Sequence, residues 1–303
     1  MYTCIYVYLN TCTHLIKRFL DDILLIYKDK RGEYFMGKVL SFANFKGGVG
    51  KTSTTALVSY NLAKMGYRIL LIDFDAQANL TSLMLKTATK EEEIITIENS
   101  LMSVINDGES IEKSILHLSE NLDLVPNAVD FSVYSRFLER NFKEEIDKVS
   151  FFRKFMEPIR DKYDLIFIDV PPTLSLLNDS AFYACDDIVV VLQTQERSLI
   201  GSETFLDYLE DTLLDEFHAD LDVIGILPVL SNKISKIDEE ILQSARDLFG
   251  SENIFENKIA IMERVKRMDL TGITDKDGHD RNVHKAFKLV AEELIERLEA
   301  EYE

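Results

Sequence analysis

Past residue 36 the chain repeats one pattern: a short run of Val, Ile, Leu and Phe without polar alternation, then a longer stretch with helical spacing. The runs are "VLSFANF" (39–45), "RILLIDFD" (68–75), "LDLVP" (122–126), "DLIFIDVPP" (164–172), "DIVVVLQT" (187–194) and "VIGILPVL" (223–230). Strands that do not alternate are covered on both faces, so each is expected inside a sheet with helices above and below. Between the first two, "TSTTALVSYNLAKMGY" (52–67) reads as a helix that Gly66 ends. Strand, helix and strand in repetition predict an α/β fold with a doubly wound, mainly parallel sheet.

Residues 86–160 carry more charge and helical spacing, with turn signals at "NDGES" (106–110), and are expected as helices on the flank of the sheet. No internal repeat or Pro/Gly-rich linker interrupts the chain, so residues 36–303 are read as a single domain. Residues 1–35 hold five of the twelve tyrosines and two of the three cysteines. They are read as an N-terminal extension outside the domain, with Met36 the expected natural start and no secretory pattern. The tail "AEELIERLEAEYE" (291–303) predicts an acidic, solvated terminal helix.

A composition of 46% hydrophobic and 29% charged residues is enough for a large buried core. The formal charge of −19 opposes broad attachment to DNA or anionic lipid, so any contact with phosphates must come from a local patch. Cys4, Cys12 and Cys185 form no CxxC pair, which supports neither a disulfide framework nor a zinc or iron–sulfur site. No apolar run reaches the ~20 residues of a membrane-spanning helix, so no membrane partner is expected and the expected location is cytoplasmic.

Three segments carry chemistry. "FKGGVGKTS" (45–53) follows a buried strand and opens a helix. There Gly47, Gly48, Val49 and Gly50 can curl the backbone around phosphate oxygens, Lys51 can reach the terminal phosphates, and Thr52, followed by Ser53, can ligate Mg²⁺. Asp169 ends the strand in "DLIFIDVPP", where a carboxylate holds Mg²⁺ or its waters opposite Thr52. Asp164, at the other end of that strand, reads as a cap or surface residue. "IDFDAQAN" (72–79) offers Asp73 and Asp75 at a strand end; either could orient an attacking water, and position does not choose between them. After the last strand, "SNKIS" (231–235) has Ser235 where a guanine-reading aspartate would stand. That favours adenine, with Asn232 facing the base edge.

With Lys46, the phosphate loop, the paired aspartates and "DVPP" in this order, the chain from Met36 resembles the ParA family of partition ATPases, deviant Walker A members of the P-loop NTPases. "NLDLVPNAVDF" (121–131) and "GITDKDGHD" (272–280) extend the resemblance. It implies that Lys46 crosses a dimer interface to touch the partner's nucleotide, that Asp75 orients the water, and that Asp169 is the Walker B residue. It implies ATP and Mg²⁺ as cofactors, a homodimer formed on ATP binding, and nonspecific DNA as a nucleoid-associated ligand. DNA contact falls to Arg264, Lys266 and Arg267, with Lys285 and Lys288 further on. A centromere-binding, ParB-like partner is implied to stimulate hydrolysis. Where the family usually has Pro and Gly in its "DPQGN" stretch, this chain has Ala76 and Ala78. The acidic tail argues against a MinD-type membrane ATPase, and the cysteines argue against a nitrogenase-type iron protein. A regulatory or mobile-element maintenance ATPase on the same scaffold is the alternative.

Overall fold

In the computed structural model, residues 37–89, 96–231 and 235–300 are described; the expectations for residues 1–35 and for Asn232 lie outside them. The apolar runs fold as strands β1 (Lys38–Ala43), β2 (Ile69–Asp73), β4 (Leu122–Val125), β5 (Leu165–Asp169), β6 (Asp187–Gln193) and β7 (Asp222–Val229). The sheet order is β3-β4-β2-β5-β1-β6-β7. All of its pairs are parallel except that of β4 with the edge strand β3 (Leu116–Ser119). Every residue of β2 and β5 is buried, as expected of strands covered on both faces.

The helices, in chain order, are α1 (Lys51–Lys64), α2 (Asn79–Ala88), α3 (Leu101–Asn106), α4 (Tyr134–Asn141), α5 (Glu145–Met156), α6 (Leu176–Tyr183), α7 (Glu196–Tyr208), α8 (Lys236–Phe249), α9 (Glu263–Thr271) and α10 (Gly278–Ala300). Helix α1 ends at Lys64, and the left-handed Gly66 (φ +98°) turns the chain toward β2.

Two expectations need correction. Beside the expected strand at 122–126, residues 86–160 are not helices alone, because the chain inserts β3 at the sheet edge. β3 escapes a search for apolar runs since it has four residues, and only alternate ones face inward. The acidic tail is not a solvated helix either. Leu294, Ile295 and Leu298 on α10 are buried, and the buried Glu293 carboxylate accepts from the backbone N–H groups of Glu256 (2.8 Å) and Asn257 (2.9 Å). Three donors from one loop, with the Arg297 guanidinium one turn along α10, offset the burial of this glutamate.

β5 lies between β1 and β2, so the chain crosses over it on leaving β1. Asp73 and Asp169 are direct register partners at the carboxyl ends of β2 and β5. Just past Asp73, Phe74 packs its ring against Phe152 (4.5 Å between centroids) and Phe131 (4.7 Å). Burying such a ring contributes about 2 to 3 kcal/mol, which fixes the backbone from which the next residue, Asp75, emerges.

Candidate functional site: a phosphate-loop cleft

The loop from Asn44 to Gly50 leaves β1 and runs directly into α1. Gly48 (φ +74°) and Gly50 (φ +87°) take left-handed backbone that side chains oppose. Gly47 lies against Pro172, where a Cβ would meet the ring at 3.6 Å. Inside the loop, Lys51 Nζ donates to the carbonyls of Asn44 (2.9 Å) and Lys46 (3.3 Å). Lys51 is buried, and desolvation lowers its pKa to about 8 against the pull of Asp169 and Asp75. A pre-aimed, poorly hydrated cation of this kind gains when phosphate arrives.

Asp169 is 1% exposed, and its Oδ1 has no protein partner. Burial pushes its carboxyl up to about 8, with Asp73 adding to the shift and the Thr52 hydroxyl bond and Lys51 opposing it. An orphaned, buried carboxylate oxygen beside a threonine hydroxyl is a hard-oxygen donor set that fits Mg²⁺.

The two aspartates after β2 have different roles. Asp73 Oδ2 accepts from Thr81 N (2.8 Å) and Thr81 Oγ1 (2.7 Å), and Oδ1 accepts from Asp75 N (3.2 Å). Asp73 therefore ties the start of α2 to the sheet; burial raises its pKa to about 6. Asp75 is half-buried and lines the cleft, with Oδ1 accepting from Gln77 N (2.9 Å). Of the pair, only Asp75 is open to a ligand.

Ala78 keeps the left-handed backbone (φ +52°, ψ +37°) that its position before α2 requires. For a residue with a Cβ this costs about 1 to 2 kcal/mol. Ala78→Gly is therefore expected to raise stability by about 0.5 to 1 kcal/mol after the entropy of a freer unfolded chain is subtracted. Urea unfolding measures it, and a less stable variant would mean that the methyl group contributes more than its backbone strain costs.

The cleft between the phosphate loop, α2 and α9 encloses about 650 Å³ and is lined by Lys51, Thr52, Asp75, Lys86 and Asp269 among others. Beside it lies an apolar slot of about 190 Å³ between the loop, the end of β7 and residues 259–262. Val229, Leu230, Ile259 and Met262 in that slot were missed from the sequence. They are ordinary apolar residues about 180 to 210 positions beyond the loop, and only the register of β7 in the sheet brings them there. Ser235 caps α8 by accepting from Asp238 N (3.3 Å).

Lys46 turns away from the cleft toward the start of α7, donating to Gln195 Oε1 (2.9 Å) and Ser198 Oγ (2.8 Å) of its own chain. The basic trio divides. Arg264 is held by the buried Asp280 (2.5 Å), Asp277 and Thr274. Lys266 and Arg267 are exposed on α9, with Lys266 beside Glu263 (2.9 Å). Asp164, at the far end of β5, pairs with Arg68 (2.5 Å).

A parallel sheet whose first strand feeds a glycine loop and a helix, with Lys51 and Thr52 facing Asp169 across the crevice, defines a P-loop nucleotide-binding protein. The family model described as an AAA domain matches residues 37–223. An uncharacterized protein of Methanocaldococcus jannaschii is 31% identical over 216 residues, spanning 70% of this chain and 80% of that protein. The sporulation initiation inhibitor protein Soj of Bacillus subtilis is 28% identical over 215 residues, 71% of this chain and 81% of Soj. A solved structure of Cyanothece McdA in complex with ATP shares the fold, with a TM-score of 0.71 at 20% identity over 86% of this chain and 96% of that one. The chain belongs to this AAA domain family, within the ParA group of P-loop ATPases.

Proposed function

We propose that this protein is an ATP-hydrolysing switch for DNA segregation, of plasmid or chromosome. One observation carries the reading: Lys51, Thr52, Asp75 and Asp169, spread over three chain segments, converge on the carboxyl ends of β1, β2 and β5. In this reading the adenine enters the apolar slot, while the loop amides and Lys51 bind the phosphates. Thr52 and Asp169 hold Mg²⁺, which neutralises charge on the phosphates. Asp75 orients the attacking water as a hydrogen-bond acceptor, and stacking Pro172 over Gly47 shields the loop from bulk solvent.

Dimerisation on ATP is part of the proposal. Lys46 leaves Gln195 and Ser198 to reach the nucleotide of a second copy, as an inserted arginine does elsewhere. Leu174, beyond Pro172, and Ile200 on α7 are 61% and 64% exposed, single apolar groups that a protein partner would bury. Nonspecific DNA is assigned to Lys266 and Arg267, with a ParB-like partner stimulating turnover. The AAA domain match stops at residue 223, so the DNA assignment rests on the resemblance and on the exposure of these two side chains.

The test is DNA retention measured with ATP, ADP and no nucleotide. Retention with ATP alone is expected, and Arg267→Glu, outside the lining of both hollows, should weaken it severalfold while ATPase activity without DNA persists. Arg264 is spared in that variant because its removal would strand Asp280. Absence of retention under every condition would favour a regulatory ATPase that moves no DNA.

A further inference from the structure

Two hollows meet beneath α9. The polar cleft and the apolar slot share Gly48, Gly50 and Ser53 on the phosphate-loop side. On the facing wall, among the described residues, Asp269 alone lines both. A nucleotide with phosphates in the first hollow and its base in the second must carry its ribose across that seam.

The seam residue is an acceptor-only carboxylate, and a ribose presents two vicinal hydroxyl donors. Hydrogen bonds between hydroxyls and an ionised carboxylate are among the stronger ones available to a neutral sugar. We propose that Asp269 accepts from the ribose hydroxyls of the bound nucleotide and so selects a ribonucleotide. This rests on the reading of the cleft as an ATP site.

The backbone around Asp269 is fixed from α2. Lys86 Nζ donates to the Asp269 carbonyl (2.6 Å), and Ile273 N donates to Thr87 Oγ1 (2.9 Å). Gly272 (φ +76°) lies so close to α2 that a Cβ would stand 2.5 Å from the Lys86 carbonyl oxygen. The last turn of α9 is therefore clasped to α2, which holds the carboxylate over the seam without using its oxygens. Lys86 in the cleft and Lys266 in the slot flank it, offsetting the repulsion between a carboxylate and a nearby triphosphate. Partial burial raises the Asp269 pKa, and Lys86 opposes that shift.

The experiment compares the affinities of the full chain for ATP and for 2′,3′-dideoxyATP, each with Mg²⁺. The wild-type protein is expected to bind the dideoxy compound about tenfold more weakly or worse, the loss of hydrogen bonds to a charged group. Asp269→Ala and Asp269→Asn should weaken ATP toward the level of the dideoxy compound and leave that compound's affinity little changed. Equal wild-type affinity for the two nucleotides, or undiminished discrimination in Asp269→Ala, overturns the proposal. Binding of neither nucleotide by the wild-type protein would instead overturn the ATP reading on which it rests.

Discussion

Lys51→Ala is expected to weaken ATP binding about a hundredfold, near 2.7 kcal/mol, the scale of one or two charge-assisted hydrogen bonds to phosphate. The side chain is already placed by the Asn44 and Lys46 carbonyls, so little ordering entropy is spent when the phosphate arrives. Its lowered pKa, about 8, adds a second expectation. Phosphate favours the charged ammonium, so wild-type affinity should fall as pH rises above 8, and the alanine variant should show no such decline. Calorimetric titration from pH 7 to 9 measures both. Unchanged affinity in the variant would contradict the assignment of the cleft.

Asp169→Asn is expected to remove Mg²⁺-dependent ATP binding and, without nucleotide, to make the protein more stable at pH 8. The folded carboxyl has a pKa near 8 because of burial, whereas an unfolded aspartate titrates near 3.9. Between those values the folded state holds a proton that the unfolded state has released. Stability is therefore greatest below the unfolded pKa and declines as pH rises toward 8, by up to about 1.4 kcal/mol per pH unit. Asp73 acts in the same direction but only up to about pH 6. Lys51 acts in the opposite direction and only above about 8. The interval from pH 6 to 8 thus isolates Asp169. Urea unfolding across it should give a falling line for the wild-type protein and a flatter one for the variant; parallel lines would refute the argument. The buried acid is a stability cost retained at a position suited to metal.

Much of this was legible in the sequence. Six of the seven strands appear as apolar runs, because a strand covered on both faces has no polar alternation to hide it. The phosphate loop is legible because its chemistry depends on neighbouring residues. What was not legible depends on residues far apart in the chain. Asp73 and Asp75 look alike until Thr81, eight residues after Asp73, takes up its carboxylate. Arg264 looks like a surface cation until Asp280 is found against it. Glu293 looks solvated until the loop at Glu256 and Asn257 closes over it. In each case a polar side chain is committed to a partner that local spacing does not reveal.

Helix α2 has ten residues, about 15 Å of rigid rod. One end is bolted to the sheet through Thr81 and Asp73, next to the Asp75 turn. The other is bolted to α9 through Lys86, Thr87 and Gly272. α9 also carries Lys266 and Arg267 on its exposed side. The acid turn and the basic face are thus mounted on the two ends of one strut.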